Sequence, residues 1–281
     1  EAALYVIEQE ILSLSVSVNC DVVALLGSAA DQRFVESIFA EYTVDTVYHA
    51  AAYKHVPLLE QNIVTGVCNN VLGTYKVLNA AANSGVDHFV LISTDKAVRP
   101  TNVMGASKRV AELLVQAQAS LSGSMRCSIV RFGNVLGSSG SVVPLFQRQI
   151  ESGGPVTLTH EKVTRYFMTI PEASELVIQA GALAKGGEIF VLDMGESVPI
   201  MALAEKMITL SGKRVSRGPA ESDDEIEIKV TGLRPGEKLF EELAYSANLM
   251  GTVRPRINTT AETPMNRDEL QGLLTTARDA I

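Results

Sequence analysis

Apolar runs rich in β-branched residues alternate with helical stretches of roughly 10–18 residues through the first half of this chain. Residues 3–14 read as a helix, Asp21 to Leu26 as a short strand ending in Gly27-Ser28, and residues 31–41 as a helix with Asp31 near its start. Val44 to Ala50 is the next strand, followed by a long helix over 66–84 that closes at Ser84-Gly85. Then come the strand Phe89-Val90-Leu91-Ile92, a helix from about Met104 to about Leu121, and a strand at Ser128–Phe132. Such alternation is the signature of an α/β fold with a doubly wound parallel sheet, whose strands are buried on both faces.

The pattern changes after Gly133. Short strands near Val156–Thr159 and Ile189–Leu192 interleave with helices at 142–152, 171–183 and 200–211; Ile226–Val230 alternates as a strand, and 235–244 and 267–280 read as helices. Residues 1–140 therefore read as the core, and 141–281 mainly as a smaller mixed α/β subdomain with segments returning to it. Ser211–Asp224, charged and rich in Gly and Ser, reads as a mobile loop.

Composition narrows the function. At 281 residues and 46% hydrophobic, the chain can bury a sizeable core. A net charge of −8 with no basic run argues against nucleic acid as a partner. The apolar runs are strand-sized, well short of the ~20 residues a membrane helix needs. Cys20, Cys68 and Cys127 are scattered and fit buried thiols in a reducing cytoplasm. His49, His55, His88 and His160 lack the spacing of a zinc site, so no metal is expected. The chain opens at Glu1 inside a helix-like pattern and reads as a piece of a longer protein.

The strand at Phe89 ends in Ser93-Thr94-Asp95-Lys96: hydroxyls, an acid and a base at the carboxyl edge, where open α/β sheets bind ligands. The helix that follows carries Lys108 one turn beyond Met104, on the same face. Residue types alone leave Asp95 and Lys96 open between a reactive pair and a solvated turn pair. His49-Ala50-Ala51-Ala52 ends another strand, and its small side chains would let a flat ligand approach; ordinary packing explains them equally well. Asn69 and Asn70 lie on the next helix, where a buried Asn must hydrogen-bond either a loop backbone or a cofactor. Arg131-Phe132-Gly133-Asn134 runs into Gly137-Ser138-Ser139-Gly140, whose backbone N–H groups suit phosphate oxygens, with a helix beginning near Ser141 and Val142 to add its dipole. Arg165 and Arg234 are candidate diphosphate clamps, though each alone is more often a surface arginine. Lys54, His55 and Glu60 share a segment that would overhang the pocket. No G-x-G-x-x-G is present.

Taken together, HAAAYKHVPLLE, NNVLGT, ISTDKAVRPTNVMGASKR, RFGNVLGSSGSVVPLF, TRYFMTIPEA and TGLRPGEKL resemble the extended short-chain dehydrogenase/reductases, specifically the UDP-N-acetylglucosamine 4,6-dehydratases of bacterial surface polysaccharide synthesis. The resemblance runs from Glu1 to about Tyr245. It implies a Rossmann-like core, tightly held NAD, a UDP-sugar substrate, a homo-oligomer, and a cytoplasmic domain whose larger relatives are anchored in the inner membrane. The family's first strand and Gly-rich turn would lie before Glu1, which implies weak or absent NAD binding by these residues alone. The family-wide Tyr-x-x-x-Lys stands here as Met104-x-x-x-Lys108, as in the resembled branch.

The resemblance also assigns roles. Thr94 would hydrogen-bond the oxygen on sugar carbon 4, Lys96 would take the carbon 5 proton as general base, and Asp95 would protonate the hydroxyl leaving carbon 6. Lys108 would hold the nicotinamide ribose and help keep Lys96 neutral. Ala50, Ala51, Ala52, Asn70 and Phe132 would line the cofactor. Lys54, His55, Asn134, Ser141, Val142, Arg165, Arg234 and Glu237 would hold the UDP-sugar. The rivals are a 4-epimerase, a dehydratase that inverts carbon 5, and an inactive UDP-sugar-binding module.

Overall fold

The computed structural model describes residues 1–15, 20–121, 124–245, 249–263 and 265–279. Its main sheet has six strands: β1 (Thr46–His49), β2 (His88–Thr94), β3 (Arg126–Phe132), β4 (Glu188–Leu192), β5 (Met250–Gly251) and β6 (Ile257–Thr260), in the order β1-β2-β3-β4-β6-β5. The first four run parallel, while β6 lies antiparallel to β4 and β5 antiparallel to β6. The doubly wound sheet read from the sequence is therefore present, with an antiparallel edge.

Side chains of β2 alternate between two buried clusters, as the pleat requires. Phe89 and Leu91 join Cys127 and Ile129 of β3 against Leu78 of α3 (Gly73–Asn83) and Leu114 of α4 (Val103–Leu121); α1 (Ala2–Ser15) and α2 (Gln32–Glu41) precede these. Val90 faces the other way and packs with Val130, Phe190 and Leu192 against α6 (Ile170–Leu183), which follows α5 (Val142–Glu151). A third cluster lies outside the sheet. Phe146 and Ile150 of α5, Val156 and Leu158, Ile226 and Ile228, and Ile200, Ala204 and Ile208 of α7 (Ile200–Leu210) enclose it. Towards the carboxyl end, α8 (Arg267–Asp279) returns Leu270 and Leu274 to the first cluster. No helix among the described residues is long and apolar enough to cross a membrane.

Three sequence expectations fail. Residues 21–26 form no strand: the segment has no ladder neighbour, and β-propensity without a partner does not make a strand. Residues 235–244 form no helix. Gly236 takes φ +75, its carbonyl accepts from Thr101 Oγ1 (2.8 Å) and Asn102 Nδ2 (3.0 Å), and the Leu239 carbonyl accepts from the Thr164 amide (3.1 Å). Tertiary partners thus take carbonyls that a helix would have used. The segment 211–224 contains an ordered strand at Arg214–Ser216, parallel to Glu225–Val230. In addition, the long helix over 66–84 is interrupted by a π turn at Cys68–Leu72, a feature that often accompanies a functional site.

Candidate active site

The carboxyl ends of β1, β2 and β3 open onto a cavity of about 490 Å³, the size of a ligand site. Thr94 closes β2 opposite Phe132 of β3 and caps the short turn Asp95–Ala97, its Oγ1 accepting from the Lys96 amide at 3.4 Å. That cap sends successive residues to different places. Lys96 reaches the cavity wall, whereas Asp95 is fully buried behind Thr94 and Lys96 and does not line the cavity. Asp95 Oδ1 accepts from Thr94 Oγ1 (2.8 Å) and Lys96 Nζ (3.0 Å), and Oδ2 has no partner. The sequence reading had Asp95 meeting the sugar directly; its contact runs instead through the two neighbours that do face the cavity.

Helix α4 supplies the second cation. Its first turn is held by Asn102 Oδ1, which accepts from the Gly105 amide (2.8 Å), and by Glu60, which accepts from the Val103 amide (2.6 Å). A side chain at Gly105 would place Cβ 2.2 Å from the Lys96 carbonyl, so glycine is what lets the Asp95–Ala97 turn lie against the helix. Lys108 Nζ donates to the Ile92 carbonyl at 2.6 Å. Burial lowers its pKa to about 8 against the opposing pull of Glu112. Met104 lines the cavity with its thioether.

Lys96 departs from the expected neutral base. Its ammonium lies 3.0 Å from Asp95 Oδ1, 3.2 Å from Asn134 Oδ1 and 3.6 Å from Glu241 Oε1. Burial and Arg165 pull its pKa down, but the Asp95 and Glu241 charges and the Asp95 hydrogen bond outweigh them, so the net shift is upward. Lys108 does not neutralise Lys96; the carboxylates hold it charged.

Of the other candidates, Ala50, Ala52, Lys54, His55, Phe132, Asn134, Ser141, Val142, Arg165, Arg234 and Glu237 all line the cavity. Ala51, in the segment just past β1, does not. Asn70 does not either. Its Oδ1 accepts from the Tyr53 amide (2.7 Å), and its Nδ2 donates to the Tyr53 carbonyl (3.0 Å) and Ser107 Oγ (3.0 Å), so it braces the β1 loop against α4 rather than holding a cofactor. Arg165 donates to the Thr164 and Leu239 carbonyls and pairs with Glu237 at 3.1 Å. Ser141, the residue before α5, has a buried hydroxyl without a partner. Sequence reasoning missed Glu241, Asn102 and Tyr53, all cavity-lining; nothing in the local pattern of 235–244 marked Glu241 as buried.

Behind Lys108 sits His49, buried at the end of β1. Thr74 Oγ1 donates to the Asn70 carbonyl (2.7 Å), so at 3.0 Å it accepts from His49 Nε2–H, which fixes the tautomer. Burial and the Lys108 charge lower the His49 pKa to about 4. The folded protein thus keeps this ring neutral where the unfolded chain takes up a proton. Stability present above pH 6.5 should fall as pH drops towards 4, by up to about 3 kcal/mol. Urea unfolding across that range should show the loss, and His49→Gln should flatten it. An equal slope in both proteins would refute the assignment.

The polysaccharide biosynthesis protein family matches residues 1–261 of this chain. The chain belongs to that family. It is an extended short-chain dehydrogenase/reductase with a Rossmann fold. It is 51% identical over 243 residues to the capsular polysaccharide biosynthesis protein CapD of Staphylococcus aureus, covering 86% of this chain and 39% of that protein. It is 37% identical over 227 residues to a UDP-glucose 4-epimerase of Rickettsia canadensis, covering 80% of this chain and 62% of that one. The chain thus spans less than two thirds of either relative. Among solved structures it superimposes on Pen from Bacillus thuringiensis with a TM-score of 0.77 and 31% identity, covering 96% of this chain and 86% of that one. No group of three or more His, Cys, Asp or Glu side chains among the described residues could hold a metal ion.

Proposed function

We propose that this chain carries the active site of an NAD-dependent UDP-N-acetylglucosamine 4,6-dehydratase, forming the 4-keto-6-deoxy sugar for surface polysaccharide synthesis. One observation carries the reading: Thr94, Lys96 and Lys108 share a cavity wall, with Asp95 hydrogen-bonded directly behind the first two. Elimination of water beside a ketone draws on a base at one carbon and an acid at the departing oxygen, and simple epimerisation needs no such acid.

The residues present fit the nicotinamide half of NAD. Ala50 and Ala52 line the cavity with small side chains and Phe132 with a flat one, and the Lys108 ammonium has donors beyond the one given to Ile92 for a ribose. The chemistry supplied by bound NAD is the removal of hydride from the sugar and its return. At the other end, the unpartnered Ser141 hydroxyl, the amino end of α5 and Arg234 suit a diphosphate.

The protein's own part is proton transfer. A shift of one proton from Lys96 Nζ to Asp95 Oδ1 along their 3.0 Å hydrogen bond turns the ion pair into a free amine and a carboxylic acid. The amine takes the carbon 5 proton as the carbon 6–oxygen bond breaks, and a carbon–carbon double bond forms between the two. The Asp95 proton reaches the leaving oxygen through Thr94 Oγ1, and water departs. The Lys96 ammonium then returns its proton to carbon 5, and the proton given up by the carbon 4 hydroxyl as the ketone forms restores the ammonium, so the pair ends as it began and one water is lost in all. Met104 can take no proton, so Thr94 is also the hydroxyl placed to hold the oxygen on carbon 4.

The name of the Rickettsia relative favours a second reading, a UDP-sugar 4-epimerase. Incubation with NAD and UDP-N-acetylglucosamine in deuterated water separates the two. The dehydratase yields a 4-ketone that has lost water and carries deuterium at carbon 5. Recovery of the 4-epimer with no loss of water would support the epimerase, and the absence of both products in protein shown by calorimetry to hold NAD and the UDP-sugar would overturn the reading.

A further inference from the structure

Glu241 belongs to the segment 233–245, where no helix forms, and it is buried, with its side chain 3% exposed. Unlike Asp95, it lines the cavity. Its Oε1 lies 3.6 Å from Lys96 Nζ and 3.8 Å from Arg165 Nε, and its Oε2 is buried with no partner. The segment that carries it is fastened to the catalytic turn. Lys238 Nζ donates to the Val98 carbonyl (2.7 Å), Thr101 and Asn102 both donate to the Gly236 carbonyl, and Arg99 pairs with Glu242 and donates to the Tyr245 carbonyl. Gly236 permits this approach; a Cβ there would lie 2.7 Å from that of Asn102. A carboxylate held in a buried site with one oxygen unmatched costs stability, and such groups survive where they serve a site.

We infer that Glu241 is a positioning residue for Lys96: its carboxylate shares the ammonium with Asp95, fixes Nζ at the cavity wall, and governs when that amine is free to act on a bound sugar. Two carboxylates, Asp95 and Glu241, stabilise the ammonium. Arg165 opposes them and is itself paired with Glu237 at 3.1 Å, and Asn134 is a neutral acceptor. Removing the Glu241 charge leaves Lys96 with Asp95 as its only carboxylate partner. The consequence for turnover rests on the dehydratase reading, but the state of Lys96 can be measured with no sugar present.

The experiment follows the acylation of Lys96 by acetic anhydride against pH in the whole chain, read by peptide mass spectrometry, since only the free amine reacts. Glu241→Gln should lower the labelling midpoint of Lys96 by about one pH unit. Arg165→Gln should raise it, and Glu242→Gln, on the exposed partner of Arg99, should leave it in place. In turnover, the acidic limb of the rate profile of Glu241→Gln should move down by the same amount with little change in KM. An unmoved midpoint in Glu241→Gln overturns the inference. If that variant does not fold, a midpoint in Arg165→Gln that fails to rise does so. A shifted midpoint in a protein that turns over no UDP-sugar would sink the dehydratase reading and leave the role of Glu241 standing. Dehydration with an unshifted midpoint would do the reverse.

Discussion

Lys96→Ala should lower turnover of UDP-N-acetylglucosamine by about 10²–10⁴-fold, the range for removing a positioned general base. The loss should fall on kcat, because the groups assigned to the diphosphate, Ser141 and Arg234, lie elsewhere on the cavity. Exchange of the carbon 5 proton with solvent should vanish with it. Asp95→Asn should give a comparable loss for a different reason. The amide can still accept from Thr94 Oγ1 and Lys96 Nζ, now at 2.8 and 3.0 Å, but it cannot take the proton that frees the amine. Steady-state rates and carbon 5 exchange, measured with UDP binding as a control, check both. Either variant working within a few-fold of the parent would remove the acid–base pair from the mechanism.

Glu112→Ala should cost about 3 kcal/mol of stability, because it takes one of two carboxylates from the buried Arg131 guanidinium and leaves Glu262 to hold it alone. Glu112 is fully buried. Its Oε1 accepts from Ser93 Oγ (2.6 Å) and Arg131 Nε (2.7 Å), and its Oε2 from Arg131 Nη2 (2.6 Å) and Arg109 Nη1 (2.9 Å). Glu262 binds Arg131 and Arg109 from the carboxyl-terminal side, and the Tyr245 ring lies within 5.2–5.9 Å of Arg99, Arg109 and Arg131. This cluster ties α4, β2, β3 and the carboxyl-terminal segment together one residue from Thr94. Replacing Glu112 and Arg131 together with Met should recover much of the loss, since the half-satisfied guanidinium is gone and Glu262 keeps Arg109 as its partner. Urea unfolding of the two proteins decides it. A loss below about 1 kcal/mol in the single variant would mean that water or Glu262 takes over the role of Glu112.

Local pattern made much of this molecule legible. The apolar run at Phe89 became β2, the period from Met104 became α4, and the polar residues after Ile92 fell at the carboxyl edge of a parallel strand, where a cavity opens. Most of the residues assigned by resemblance line that cavity, because strand ends and the loops after them share one side of such a sheet. The failures have a common origin. Asn70 carried the right chemistry, but a π turn aims it at Tyr53 and Ser107, and a regular helical period does not show that register. Residues 235–244 have a helical composition, yet their carbonyls and side chains are engaged by the turn 97–102. Asp95 and Lys96 are neighbours in the chain, but one is sealed in and the other lines the cavity.

The order of residues by itself determined the alternation of strand and helix, the two-sided burial of the sheet, and the edge at which hydroxyl, acid and amines gather. These follow from periodicity and residue type within one element, where neighbours in sequence are neighbours in space. Only the tertiary structure decided which carboxylate reaches the cavity, that Lys96 rests as an ammonium, and that Glu241 stands beside it. Charge and burial at a point depend on every group packed around it, and here those groups arrive from segments far apart in the chain.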